Sequence, residues 1–288
     1  MRSTFPERLR AAVDWPRIRS RQAIWWGKRI PLRARFHRLR ELERVRNSAD
    51  PLAAWRCCEL WPRALANKLN ARAFAAHHGC ALPAVLWMGR FPERIPFESL
   101  PTHYVVKPIV GAACGGVLAV SNGIELMCGA RRTVADLRAQ ALAMHGKVAR
   151  WPILVEEFAG APGVLPLEYR CHTFGDTVAA IEVVKRHGPK SQEQTVYDAE
   201  WRMLPPPFRT IHPAGGALER PPRLEELVRL AGVLGAAIGT YVRADFYATE
   251  RGWVFGEFSS TPGGGDGFSE FAVELFERLW SEKFPDRS

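Results

Sequence analysis

Cysteine is scarce in this chain. Six thiols are spread over 288 residues, Cys57, Cys58, Cys80, Cys114, Cys128 and Cys171, and none stands in a C-x-x-C pair. That spacing excludes the common zinc motifs, and so few cysteines in so long a chain do not make a disulfide framework. Free buried or half-buried thiols in a reducing cytoplasm are the expectation. No uncharged apolar run of about 18 residues occurs, which excludes a membrane-spanning helix. The charged start, residues 1–10, is not followed by an apolar stretch, so no secretory leader is expected. Internal repeats and low-complexity tracts are also missing. With 47% hydrophobic residues, the chain is too apolar for disorder to dominate. At roughly 100–200 residues per domain, its length allows about two domains.

Charge is present in excess, and all of it sits at one end. Residues 1–63 hold 16 Lys and Arg against 6 Asp and Glu, which equals the net +10 of the whole chain. Arginines from Arg2 to Arg46 are interleaved with Trp15, Trp25, Trp26 and Phe36. Around residues 33–46, Leu32, Phe36, Leu39, Leu42 and Val45 fall near one helical face. Such a segment suits an anionic partner, either an acidic polymer or the inner face of a membrane. It equally suits an amphipathic helix pair packed on the rest of the protein. No helix-turn-helix or zinc-finger spacing appears, so specific nucleic-acid binding is not expected.

The remainder reads as an α+β protein with two sheets. A helix is expected over 64–79, a short strand over 83–87, and a hairpin over 104–120 around the glycine-rich turn Gly111–Gly116. A helix follows over 133–145 and a strand over 153–158. Residues 169–174 and 177–184 form a second hairpin through Gly175-Asp176. The stretch 187–222, rich in Pro and Gly, reads as an ordered loop or lid. After it come a helix over 224–239, strands over 242–247 and 253–258, a loop at 263–265 and a closing helix over 269–284.

Three features carry chemistry. Lys107 stands alone in an apolar strand beside the glycine-rich turn, and backbone N–H groups next to a lysine suit phosphate. GAACGG is neither a Walker A loop nor a dinucleotide fingerprint, and a solvent-facing edge lysine explains Lys107 as well. In the strand VRADFY, alternation puts Arg243, Asp245 and Tyr247 on one face. Glu257 and Ser259 share a face on the next strand. If the two strands pair around residues 250–252, Asp245 and Glu257 converge, and paired carboxylates call for a cation between them. Magnesium, an oxygen-liganded ion that bridges phosphates, suits that place; a salt-bridge ladder is the alternative. The third feature is Glu156-Glu157, which reads either as a strand end meeting solvent or as a hinge holding a flat heteroaromatic ring.

In this order, LPTHYVVKP, ILVEEF, LEYRCHTFGDTVAAIEVVKR, VYDAEW, YVRADFY and FGEFSSTPGGG resemble the ATP-grasp superfamily, closest to its TupA-like group, over about residues 65–262. That group is associated with bacterial cell-surface polymers. The resemblance implies an ATP-grasp fold, two α+β lobes with a nucleotide between them. Its parts would be the basic segment 1–63, a central subdomain over 64–155 and a C-terminal lobe over 156–288. It implies a cytoplasmic ATP-dependent carboxylate–amine ligase using ATP and Mg2+, acting through an acyl-phosphate on small-molecule or glycan acids and amines. A nucleotide-binding partner of polysaccharide biosynthesis without ligase activity, or a kinase, are the alternatives. By position, Lys68 and Lys107 match the phosphate lysines, and Gly111, Gly115 and Gly116 the loop over the phosphates. Glu156 matches the adenine-facing residue, the run Glu157, Phe158 and Ala159 the hinge, and Glu168 a ribose contact. Asp245 and Glu257 match the magnesium ligands, with Ser259 where the family usually has asparagine. Arg243 and the backbone of Gly263 match the oxyanion-steadying groups. Arg186 is a candidate for a substrate anion, and residues 197–201 with Pro205-Pro206-Pro207 for the wall of the acceptor pocket.

Overall fold

The computed structural model describes residues 61–111, 115–148 and 152–285. The basic stretch up to residue 60, Cys114 and the tip of the glycine-rich turn lie outside them.

Two antiparallel sheets make the frame. The first has six strands: β1 (Val85–Gly89), β2 (His103–Pro108), β3 (Leu118–Ser121), β4 (Ile124–Glu125), β5 (Ala130–Arg131) and β6 (Ile153–Glu157). They lie in the order β1-β6-β2-β3-β4-β5. The second has β7 (Glu168–Phe174), β8 (Thr177–Arg186), β9 (Gln192–Tyr197), β10 (Tyr241–Thr249) and β11 (Gly252–Ser259), in the order β11-β10-β7-β8-β9. Among the described residues four helices cover them: α1 (Lys68–His77), α2 (Val134–Val148), α3 (Leu224–Ile238) and α4 (Glu270–Lys283).

Period-two alternation divides the five-stranded sheet into two faces. Tyr169, Cys171, Ile181, Val183, Val242, Ala244 and Phe246 point one way and pack with Leu227, Leu234 and Ile238 of α3 and Phe74 of α1. On the other face, Phe174, Ala180, Val196 and Tyr241 pack under Phe276 and Trp280 of α4. The rest of that second face is charged. A separate core, Val106, Val120, Val155, Leu137 and Met144 among others, joins α2 to the six-stranded sheet.

Several boundaries differ from those expected. The predicted helix over 64–79 breaks at Asn67, whose side chain caps α1 by accepting from Leu69 N at 2.9 Å; a 3₁₀ turn, Trp61–Ala66, precedes it. The first strand begins two residues later than predicted. The 187–222 stretch is not all loop, since β9 lies within it and pairs along β8. Its sequence, QEQTVY, lacks apolar alternation because its Gln side chains lie on the charged face. Residues Pro262–Gly265 form a 3₁₀ turn. Cys80 and Cys171 are buried and free, as expected, but Cys128 is exposed. Among the described residues, no helix is long and apolar enough to cross a membrane.

Helix α1 ties the sheets together. Its first residue, Lys68, donates its backbone N–H to Ile109 O, just beyond β2, at 2.8 Å. Phe74 of the same helix meets Phe258 of β11 edge-on at 5.9 Å.

His172 lies wholly inside, bonded to Tyr241 Oη at 2.8 Å and Glu182 at 3.3 Å. Burial pushes its imidazole down to about 4; the bond to Glu182 pulls upward, and Arg243 and Arg209 add to the downward push. The unfolded chain takes this proton near 6.5 and the folded one only near 4. Stability from this site is therefore full above about pH 6.5 and is lost as the pH falls toward about 4. A His172→Gln variant should flatten that slope, read as the urea midpoint across this window. An unchanged slope would mean that His172 does not titrate as described.

Candidate functional site

Cross-strand register builds the site. One row runs Glu257, Asp245, Arg170, Glu182, Val196 from β11 to β9. Beside it run Ser259, Arg243, His172, Ala180 and Tyr247, Glu168, Val184, Gln194. Acids and bases thus interlock across the face. Arg243 grips Asp245 with two bonds, 2.7 and 2.6 Å. Arg170 reaches Glu182 at 3.1 Å and Glu168 at 3.1 Å. Arg186 holds Glu168 at 2.8 and 3.2 Å.

A β-bulge sets the acidic pair. Phe246 pairs with Phe255, but Asp245 pairs with Glu257, leaving Gly256 as the extra residue. Without that extra residue Glu257 would stand opposite Ala244, on the apolar face. The bulge turns it onto the face of Asp245. The spacing of Phe255 and Phe258, both in the core, shows the same break. A Cβ on Gly256 would sit 2.9 Å from the Tyr247 ring and 3.2 Å from Asp245 O.

The two carboxylates differ in their surroundings. Asp245 is pushed up to about 6, by burial first; Arg243 and Arg170 oppose this, and Glu257 adds to it. Glu257, with 43% of its side chain exposed, is held below its ordinary value. Burial works against that, but Lys68, Arg243 and Lys107 outweigh it. Lys68 Nζ lies 3.4 Å from Glu257 Oε2. Among the described residues, no group of three or more Asp, Glu, His or Cys side chains gathers as a metal site; Ser259 stands opposite Arg243, in the row beside the pair.

On the six-stranded side, Lys107 pairs with Glu156. The same carboxylate takes Arg72 Nη1 at 3.0 Å, and Arg72 Nη2 donates to Pro83 O at 2.6 Å. The Glu157 side chain turns outward, to Ala84 N at 3.2 Å and Arg251 at 2.7 Å, and its backbone N–H bonds Ala84 O at 2.9 Å. Phe158 is buried against Ala119 and Met127, and Ala159 follows it on the way to β7. Glu168 is held below its ordinary value: burial pushes it up, but Arg170 and Arg186 outweigh this. Gly111 and Gly115 flank the tip of the glycine-rich turn, and a Cβ on Gly116 would strike Met144 Cγ at 2.5 Å. Gly263 has φ +62, and a Cβ there would lie 2.6 Å from Arg209 Nη2.

The structure therefore brings Lys68, Lys107, Glu156, Arg243, Asp245 and Glu257 together: Lys68 and Lys107 both act on Glu257, Lys107 also meets Glu156, and Arg243 holds Asp245. Tyr197 and Trp201 belong to the apolar side of the sheet. They stack on each other at 4.0 Å on the apolar face, since Tyr197 falls on the opposite parity from Val196. Pro206 and Pro207 do line a pocket. Arg72, Arg170, Glu182 and Arg209 were not singled out from sequence. The alternation of E-x-R in β7 and of Glu182 within an apolar strand was the available signal for two of them.

The family model described as TupA-like ATPgrasp matches residues 63–284. The chain belongs to that family. Its fold is the ATP-grasp fold. Among solved structures it is similar to the D-alanine-D-alanine ligase of Helicobacter pylori, with 17% identity and a TM-score of 0.50 over 78% of this chain and 61% of that one. The D-alanine-D-alanine ligase of Bacillus anthracis, solved in complex with ATP, gives 14% identity and a TM-score of 0.50 over 79% and 69%. The chain thus spans about three-fifths of the Helicobacter pylori enzyme's length. A search of curated proteins finds no match.

Replacing Gly256 by valine should destabilise the protein by about 1–3 kcal/mol, the range for overpacking a filled site, measured by urea denaturation. A loss below about 0.5 kcal/mol, the scale of ordinary surface changes, would show that the bulge does not depend on glycine.

Proposed function

We propose that this protein is an ATP-dependent carboxylate–amine ligase. The observation that carries the reading is the meeting of Lys68, Lys107 and Arg243 with the Asp245–Glu257 pair at one cleft of an ATP-grasp fold. A triphosphate is a dense anion, and three cationic side chains aimed at one place suit it. Those lysines rest on Glu257 and Glu156, the contacts a nucleotide would exchange. Two carboxylates side by side, one of them raised by burial and by its neighbour, fit a divalent cation with oxygen ligands. Asp245, Glu257 and the Ser259 hydroxyl would hold magnesium, which offsets phosphate charge when bound.

The remaining roles follow the same layout. Glu156 and the run Glu157–Ala159 sit where an adenine would lie, and Glu168, fixed by Arg170 and Arg186, where a ribose would. In the first step, a carboxylate oxygen of the acid attacks the γ-phosphorus and ADP leaves, giving an acyl-phosphate. In the second, the amine nitrogen attacks the acyl carbon, phosphate leaves and the nitrogen gives up a proton. Arg243 and the backbone at Gly263 steady the oxyanion. The glycines around residue 111 cover the site and keep water from the acyl-phosphate. An acid of a cell-surface polysaccharide, or a related small acid, is the substrate class we assign. The arginine-rich segment 1–63 suits contact with that anionic polymer or with the inner membrane face.

ADP release with a panel of acids and amines tests the reading. Lys107→Ala and Asp245→Asn should each lower turnover by about 10²-fold or more with unfolding transitions intact. Undiminished turnover in either variant would break the site assignment. Ser259, in place of the family's usual asparagine, favours a nucleotide-binding protein that does not ligate; tight ATP binding with no ADP release across the panel would select that alternative.

A further inference from the structure

Helix α1 carries two cations on one face. Lys68 and Arg72 stand four residues apart, which places them one above the other, about 6 Å along the axis. Lys68 reaches toward Glu257 at 3.4 Å. Arg72 reaches toward Glu156, near the end of β6, and is pinned at two points. Its Nη1 donates to Glu156 Oε2 at 3.0 Å and its Nη2 to Pro83 O at 2.6 Å. Pro83 precedes Ala84, whose carbonyl takes the Glu157 N–H at 2.9 Å. The guanidinium is thus anchored beside the same strand end that it grips. Its side chain is 13% exposed and that of Glu156 5%. A planar fork held by two acceptors is preorganised for its contact.

Glu156 divides its carboxylate between two cations. Oε1 pairs with Lys107 and Oε2 with Arg72. The two contacts are unlike. Lys107 is a point charge on a flexible stem, the kind of cation that turns to phosphate, whereas Arg72 is also tied to backbone. A nucleotide that drew Lys107 away would leave Arg72 holding this buried carboxylate, and a buried charge without a partner is costly. Burial first, and then the charges of Glu168, Glu257, Asp245 and Glu156, push the Tyr247 hydroxyl well above its ordinary value. Glu156 therefore shares its surroundings with the Asp245–Glu257 pair.

We propose that Arg72 is a positioning residue that sets base selectivity: it holds Glu156 in place as an acceptor, so that a bound purine must present an exocyclic amino group. This rests on the nucleotide reading above, in which Glu156 faces the base. An ionised carboxylate accepts hydrogen bonds and donates none. The C6 amino group of adenine donates to it. Hypoxanthine and guanine carry an oxygen at C6, which would set lone pair against lone pair. A site built to bond an N–H rejects the analogue that lacks it. That rejection needs a carboxylate that cannot turn aside, and Arg72 supplies the restraint without touching the base.

Calorimetric titration of the full chain with ADP and with IDP, each in the presence of magnesium, tests this. The two ligands share sugar and phosphates and differ only at C6 and N1 of the base, so contacts elsewhere cancel in the ratio of their affinities. The wild-type protein should prefer ADP by about tenfold or more, the scale of one hydrogen bond to a charged group. Arg72→Met should cut that preference by about fivefold or more, for the same reason. Arg72→Lys keeps a cation without the fork and should give an intermediate preference; its reduced ratio decides the matter if Arg72→Met does not fold. A general loosening of the fold would weaken both nucleotides alike and leave the ratio where it was. An unchanged ratio in the folded variants, or equal binding of the two nucleotides by the wild type, would overturn the proposal and leave the ligase reading standing. Binding of neither nucleotide by the wild type would sink that reading and this one together.

Discussion

Two negative charges, Asp245 and Glu257, stand opposite each other on neighbouring strands, and much of the charged face answers to that fact. Like charges in register oppose folding unless something positive stands close. Arg243 chelates one carboxylate, Arg170 flanks it across β7, and Lys68 reaches the other. Arg170 is itself tied to Glu168 and Glu182, and Lys68 through its backbone to Ile109. The result is a lattice of alternating sign, fixed by strand register and by the single extra residue at Gly256.

Much of the fold was legible because it is written in periodicity. The two hairpins, the long helix under β7 and β8 and the facing of Arg243 with Asp245 all come from spacing that burial imposes. Ligase chemistry rested on ordered motifs, and the family match now stands on 63–284. The bulge was harder to see. Reading Glu257 onto the face of Asp245 gave the observed arrangement, yet a plain hairpin count from the turn at residues 250–251 puts it on the other side. Only the three-residue step from Phe255 to Phe258, both buried, betrays the extra residue.

What the sequence hid has a common cause. Strand β9 carries Gln192 and Gln194 where a core strand would carry valines, because those side chains fall on the charged face at that edge of the sheet. Arg72 and Arg209 sit on a helix and a loop strap, and their partners are 84 and 59 residues away along the chain. Pairings over such separations leave no local pattern. Strand parity likewise turns Tyr197 to the core side, where Trp201 stacks on it.

The end of β6 has a mechanical meaning. Adjacent side chains on a strand point to opposite sides, so Glu156 fastens inward to Lys107 and Arg72 while Glu157 fastens outward to Arg251 beyond β10. Two neighbouring residues therefore clamp three separate parts of the chain at one spot. Any sliding of one sheet past the other has to break or exchange these ion pairs, so the two glutamates act as a rivet through the end of β6.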